Sequence, residues 1–595
     1  MKNISRGEFI KTGSLGVAAT VLATKTFGNL IGQVEGTDND LFVRLLRKTD
    51  EFVSTYLAQN SELKNAAPGR SRSSTTDFAV LAAAYCTSGS EYFKSADVLK
   101  CMEKIVENLL ELQQPNGTLN SGGNIGSPPD TAFLLESLCP AATVLFKAEW
   151  DEVKTLNGKL KEFLLKAGES LVTGGIHTPN HRWVVSAGLA RLFALFGDER
   201  YVKRIDQWLA EGIYIDSDGQ FAERSRNYAV VVDRSLITIA YVLNRPEYYE
   251  KVEKNLLATS YFLEENGELI TVDSRRQDQN FVLPVIGYYL EYRFIALQKN
   301  NDFLAAVARK IETLENFENN LLKQSLIYFL ERPVLLGELP VKKELPANYT
   351  QYFPVNQTAR IKRDKVTATI FAGNDRPIII ASGRSTNPSF FTFRKGDAIL
   401  DYARISTSFF RTGYFRAESL VKDGDNFLLH EKKEGHYFQP MPADKINPEG
   451  DYKFSESTDK RFWSKMDFDS RPLSNIQTLE TDIAISEKNG EFTLEINITG
   501  TDQIDVVVEL CFRNGGEFAQ VVPAGSDDDY FLEEEFATYK KGNDTIKIGP
   551  GKKEHTRIRG LDGEMYSTHF GTIKGNGMHL YITGITPFSH TLKIG

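Results

Sequence analysis

The sequence predicts an α+β chain of at least two domains, helices first and antiparallel sheets second. Three observations predict it. At 595 residues the chain exceeds one ordinary core, and 41% hydrophobic with 25% charged residues is too apolar for disorder. From about Leu41 to Glu331 apolar residues recur at helical spacing. Beyond about Pro340 short β-branched and aromatic runs replace that pattern.

The amino terminus reads as an address. Lys2 and Arg6 precede an uncharged stretch, Thr12 to Thr24, which is too short to span a bilayer as a stable anchor. Residues 1–35 are therefore expected to be an export signal and the mature protein periplasmic. Ser5-Arg6-Gly7-Glu8-Phe9-Ile10-Lys11 resembles a bacterial twin-arginine signal, with Gly7 where the second arginine would stand. No cysteine follows the apolar run, so no lipid anchor is expected, and no later segment is read as a stable membrane insertion.

Helical segments follow at Phe78–Tyr85, Leu99–Leu112, Thr131–Phe146, Trp183–Phe196, Arg234–Leu243 and Phe281–Leu297. Turn clusters such as Gln114-Pro115-Asn116-Gly117 and Asp216-Ser217-Asp218-Gly219 separate them. Connections this short favour antiparallel helix pairs. The join is expected between Glu331 and Tyr349, giving a helical domain over 36–335 and a sheet domain over 336–595. In the second half Val366–Phe371, Pro377–Ala381, Phe390–Phe393, Val506–Phe512 and Met578–Thr583 read as strands. Thr481–Ile485 and Phe492–Ile498 flank Asn489-Gly490, a hairpin signal because both positions tolerate positive φ. Sandwiched antiparallel sheets are the expected arrangement.

Composition narrows the function. A net charge of −9 argues against a dedicated nucleic-acid or anionic-membrane binder. Cys86, Cys101, Cys139 and Cys511 have no metal-ligand spacing, so neither a zinc ribbon nor a disulfide scaffold is expected. The 24 Tyr and 38 Phe supply flat, partly polar surface of the kind carbohydrate-handling proteins use.

Two segments concentrate chemistry. Of eight histidines, His177 and His181 are the two in the helical half, and they share Gly174–Trp183 with Asn180 and Arg182. Pro179-Asn180 reads as a turn into a helix beginning near His181, where donor groups favour an anion; Asn180 also suits a plain N-cap. In the second segment, the Asp216–Gly219 turn leads towards Arg224 and Tyr228, which share a face if the helix already includes both. A guanidinium beside a phenol favours phenolate.

Asn180-His181, an Asp-Gly turn, an arginine and then Tyr228 resemble the heparinase II/III-like and alginate-lyase-type polysaccharide lyases. Among these the chain is most similar to the bacterial L-rhamnose-α-1,4-D-glucuronate lyases acting on arabinogalactan. The resemblance implies an N-terminal (α/α) toroid, as an incomplete or six-pair barrel, followed by antiparallel β-sandwich sheets. Pro179 stands where alginate lyases usually carry a further asparagine, and the choice between Arg224 and Arg226 is open. β-Elimination removes the weakly acidic C5 proton of a uronate, so donors must neutralise the neighbouring carboxylate. Asn180, His181 and an arginine suit that task. Tyr228, activated by Arg224, is the base that the resemblance implies, with His181 or His177 as the alternative. One tyrosine could take the proton and return it to the leaving oxygen, since both lie on one face of glucuronate. The scheme needs no metal or cofactor, and its partner is an acidic plant or microbial polysaccharide.

Weaker candidates complete the set. Arg70 and Arg72, and Arg275 and Arg276 within Asp273–Asp278, offer guanidinium groups to an acidic sugar, although loop charges are usually only solvated. Asn124 in the Gly122–Thr131 loop is a candidate sugar contact, with Asp130 expected to cap the next helix. Tyr402 and Arg404 are expected to close over the substrate, as are Arg411, Tyr414 and His436 if they are not plain sheet-surface pairs. Two other functions compete. A toroidal glycoside hydrolase would use carboxylates such as Asp130 and Asp218, and a non-catalytic glycan binder would use the aromatic surface alone.

Overall fold

Helices that are apolar all round must be buried, whereas a one-sided helix covers a core. Both kinds alternate along the first half. In the computed structural model, the described residues are 38–59, 71–120, 124–280, 282–341, 343–373, 379–380, 383–384, 387–457, 462–525, 527–558 and 575–595. The expected export signal, Arg70, Gly122 and Gly123 lie outside them.

The first helices are α1 (Asn39–Gln59), α2 (Ser71–Cys86), α3 (Ala96–Leu112), α4 (Pro128–Ala148) and α5 (Lys154–Thr173). Next come α6 (His181–Phe196), α7 (Glu199–Leu209), α8 (Arg226–Leu243), α9 (Tyr248–Ser260), α10 (Tyr289–Lys299) and α11 (Asp302–Glu312). Every residue of α2 from Phe78 to Cys86 is buried, and α4 and α6 are buried nearly all round. By contrast α7 buries Tyr201 and Ile205 alone. So α2, α4 and α6 form an inner row, α4 packing against both others, while α3, α5 and α7 return the chain outside it. By length and composition α4 could cross a membrane, which the sequence reading did not expect of any later segment. It is the core of this row and carries Asp130, Glu136 and Lys147. The segment Phe281–Leu297 was expected to be one helix. Instead α10 begins at Tyr289 after a 3₁₀ turn over Val285–Tyr288. Pro284 disfavours helix before it, and Gly287 weakens helix at the next turn.

Charged side chains cross the helical unit's interior. The Arg191 guanidinium, 4% exposed, pairs with Glu331 at 2.8 Å, and Arg234 pairs with Glu136 and, at 2.8 Å, with Glu291. These guanidinium groups hold the Glu136 and Glu331 carboxyls below the usual range despite burial.

The second unit contains an eight-stranded and a nine-stranded sheet. The latter is antiparallel except where Asp529–Phe531 runs parallel to Gly577–Ile585. One apolar core, including Phe391, Phe492, Leu494, Val508, Leu510, Ile582 and Leu592, joins residues of both. The expected hairpin forms: Asn489 (φ 55°) and Gly490 (φ 83°) link Leu473–Lys488 to Glu491–Gly500.

The domain boundaries differ from the sequence reading. The helical unit takes the described chain up to Tyr214, Val230–Leu257 and Val285–Leu345; the sheet unit takes Ile215–Ala229, Ala258–Pro284 and Pro346–Gly595. Non-local ion pairs and a hydrogen bond tie the two short stretches to the sheets. Arg360 meets Glu264 at 2.7 Å, Arg394 and Arg513 meet Glu268 at 2.7 and 2.6 Å, and Asp218 accepts from the Asn356 N–H at 2.8 Å.

Candidate active site

The residues singled out by the sequence fall into separate groups, each within one unit. In the helical unit the inner helices begin side by side. Ser127 caps α4, its Oγ accepting from the Asp130 N–H at 3.2 Å, so Asp130 is not the cap that was expected. Asp130 sits in the first turn instead, its side chain 7% exposed, and accepts from Arg72 Nη2 at 2.6 Å and from Asn124 Nδ2 at 2.8 Å. The Asn124 amide is thus spent on a carboxylate within the protein. With both oxygens engaged, Asp130 is a fixed acceptor and a poor choice for the hydrolase's proton donor. Asp218, the other carboxylate of that reading, caps backbone at Asn356.

The helix predicted near His181 begins there. Asn180 is 1% exposed, yet its side chain makes no capping bond to α6, so the simple N-cap explanation does not apply. The His177 and His181 rings lie edge to face at 4.7 Å, and Phe133 stands edge-on to His181 at 6.1 Å. Arg182 turns away: it bonds Glu211 at 2.8 Å and covers the Trp183 ring.

Tyr228 belongs to the sheet unit. Ser225 opens α8, its Oγ accepting from the Tyr228 N–H at 3.3 Å, and it donates to the fully buried Asp278 at 2.9 Å. A carboxylate at a helix start is favourable. Because α8 starts at Arg226, Arg224 lies outside it and does not share a helical face with Tyr228. Arg224 is buried with φ 45° instead. Arg226 forms a two-bond pair with Asp273 at 2.6 and 3.1 Å, both side chains 0% exposed, and stacks on Phe262 at 3.6 Å. It is a structural group, closed to solvent and so to a sugar.

The cation beside the phenol is Arg276, whose guanidinium lies 4.2 Å from the Tyr228 ring centre and is paired with Glu223. Gln277 Nε2 donates to the Tyr228 hydroxyl at 2.8 Å. Both come from the loop that the sequence reading treated as solvated. Arg275 is half-buried and donates to the Ala222 carbonyl at 3.0 Å.

Tyr402 and Arg404 lie on the nine-stranded sheet's polar face. The Tyr402 hydroxyl is 3.1 Å from Glu509 Oε1 and 3.0 Å from His579 Nε2, and Tyr414 donates to Glu509 Oε2 at 2.6 Å. Arg404 stacks on Tyr402 at 3.7 Å. All five are nearly inaccessible, and burial pushes the Tyr402 phenol up. They form an internal network rather than a surface closing over sugar. Among the described residues no three His, Cys, Asp or Glu side chains group as a metal site.

No family model and no curated protein matches the sequence. Solved structures do match. Heparinase III is 13% identical with a TM-score of 0.52, over 87% of this chain and 75% of that one. The Streptomyces coelicolor A3 chondroitin AC lyase, solved with chondroitin sulphate, is 12% identical with a TM-score of 0.56, over 93% and 79%. A Paenibacillus xanthan lyase is 10% identical with a TM-score of 0.52, over 94% of this chain but 57% of its own. The likeness is one of fold. It bears out the class expected from the sequence, helices of the (α/α) toroid type followed by antiparallel sandwich sheets.

Proposed function

We propose that the chain is a polysaccharide lyase that cleaves a glycosidic bond to a uronic acid by β-elimination, leaving a C4=C5 double bond. The Tyr228 environment carries this reading. Its oxygen accepts from Gln277 and its ring lies beneath the Arg276 guanidinium, so the negative charge that a base must carry on that oxygen before it takes a proton meets a donor and a cation. The fold shared with three lyases, and the engagement of Asp130 and Asp218 by other groups, support elimination over hydrolysis.

The roles follow from chemistry. Tyr228 removes the C5 proton and returns it to the leaving oxygen, while hydrogen-bond donors offset the carboxylate's growing charge. Arg276 is a cation over the ring of the base. Our choice of substrate is the rhamnose cap on α-1,4-linked glucuronate of arabinogalactan, met after export to the periplasm.

Incubation with arabinogalactan, alginate and heparin-type polymers, followed by near-ultraviolet absorbance, tests the proposal. The expected result is absorbance growth with arabinogalactan and a loss of about a thousandfold or more in kcat for Tyr228→Phe. Saturated sugar without the chromophore would refute elimination. Near-full turnover by Tyr228→Phe, with none by His181→Ala, would move the base to the imidazole.

A further inference from the structure

Between the strands Asn426–Phe438 and Leu473–Lys488 lies an insertion with a short hairpin, Ser455–Glu456 paired with Trp463–Ser464. Side chains alternate faces along a strand, so Ser455, Ser457, Phe462 and Ser464 share one face and Phe454, Glu456 and Trp463 the other. The first face turns inward. Ser455 and Ser457 are buried, Ser455 Oγ accepts from the Phe468 N–H at 3.4 Å, and the Phe462 ring meets Phe468, which packs on Phe438 at 4.9 Å. The second face is open: Phe454 is 60% exposed and Trp463 57%. With serine inward and aromatic outward, the hairpin reverses the ordinary pattern of a two-faced antiparallel sheet.

The outward rings are ordered. Phe454 and Trp463 stack at 5.6 Å with 24° between their planes, and neither meets another ring or a cation among the described residues. Ion pairs brace both strands: Lys453 meets Asp469 at 2.7 Å, and Lys465 meets Asp451. Those cations are neutralised within the insertion, while Glu456, directly opposite Trp463, puts a carboxylate on the aromatic face. Size and charge select the occupant. The stacked pair offers roughly 200–300 Å² of flat apolar surface, well short of the about 800 Å² that each partner of a stable dimer contributes. One or two sugar rings match it. A carboxylate beside the rings repels uronates and anionic lipid but accepts from hydroxyl groups, so the face complements a neutral sugar.

We propose that Phe454 and Trp463 form a stacking platform for neutral sugars of the polymer, with Glu456 accepting from their hydroxyl groups. This rests on the polysaccharide-lyase reading above and adds a docking function to it. The platform holds polymer and takes no part in bond breaking, so its loss should appear in KM for the polymer.

Affinity electrophoresis of the full chain, in gels cast with carboxyl-reduced arabinogalactan, isolates the platform, because that polymer lacks the carboxylate that elimination requires. The wild-type chain is expected to be retarded. Trp463→Ala and Phe454→Ala should each lose most of the retardation, Trp463→Phe should keep part of it, and Tyr228→Phe should keep all of it. Of the four tryptophans, Trp463 is the exposed one, so the same polymer should shift tryptophan fluorescence to the blue in the wild type and not in Trp463→Phe. On native arabinogalactan Trp463→Ala should raise KM about tenfold with kcat within about twofold, and KM for a rhamnosyl-glucuronate disaccharide should not change. No retardation of the wild type, or equal retardation of Trp463→Ala, would overturn the inference. So would a wild-type dimer that Trp463→Ala dissociates, or Trp463-dependent sedimentation with phosphatidylglycerol vesicles, which would give the face to a second copy or a membrane. Failure of the lyase reading looks different: Trp463-dependent retardation would persist with no chromophore formed from the native polymer.

Discussion

Replacing Asp273 by alanine is the sharpest test of how the Tyr228 segment is held. The Arg226–Asp273 pair has two hydrogen bonds, at 2.6 and 3.1 Å, and neither side chain touches solvent. Removing the carboxylate breaks both bonds to a guanidinium in a site closed to solvent, a loss worth about 3–5 kcal/mol. The Phe262 stacking survives but does not neutralise the charge. For a unit of this size that free energy lowers the melting midpoint by roughly 6–12 °C. Differential scanning calorimetry of the full chain reads it directly. The double variant Arg226→Met with Asp273→Leu removes both charges and keeps apolar volume, so it should melt well above Asp273→Ala. A fall below about 2 °C in Asp273→Ala, or a double variant less stable than the single, would refute the argument.

Two further outcomes are expected. Burial pushes the Asp77 carboxyl up to about 6, so the folded chain holds a proton there that the unfolded chain releases near pH 4, and stability falls as pH rises between those values. Asp77→Asn should flatten that slope and add about 1–2 kcal/mol at pH 7 after allowing for partial exposure, as measured by urea denaturation at pH 4, 5.5 and 7. Gly117 adopts φ +85°, and a Cβ there would fall 2.0 Å from the Lys166 carbonyl oxygen. Gly117→Ala should therefore cost at least about 1–2 kcal/mol, seen as a lower urea midpoint with an unchanged slope.

Local pattern made much of this fold legible. Helical periodicity located α2, α3, α4 and α6, and the positive-φ pair at Asn489-Gly490 located its hairpin. What escaped was set by partners distant in sequence. Arg72 looks solvated until Asp130, 58 positions on, is seen beside it. Arg224 is nearer to Tyr228 in sequence than Arg276, yet its own left-handed backbone keeps it out of the helix. Arg226 reads as a free cation because nothing in its own segment announces Asp273. The two histidines, by contrast, fall near each other because a single turn leads from His177 to His181, the first residue of α6.

The sheet unit's three-part origin along the chain has a practical meaning. Tyr228 and its neighbours Arg276 and Gln277 lie before the last helices, but they fold with strands that are translated afterwards. Scission near residue 345 would leave Arg360, Arg394 and Arg513 on one fragment and their carboxylates Glu264 and Glu268 on the other. Halves expressed separately should therefore be inert and insoluble, and a nascent chain must await its final third before its phenol is locked in place.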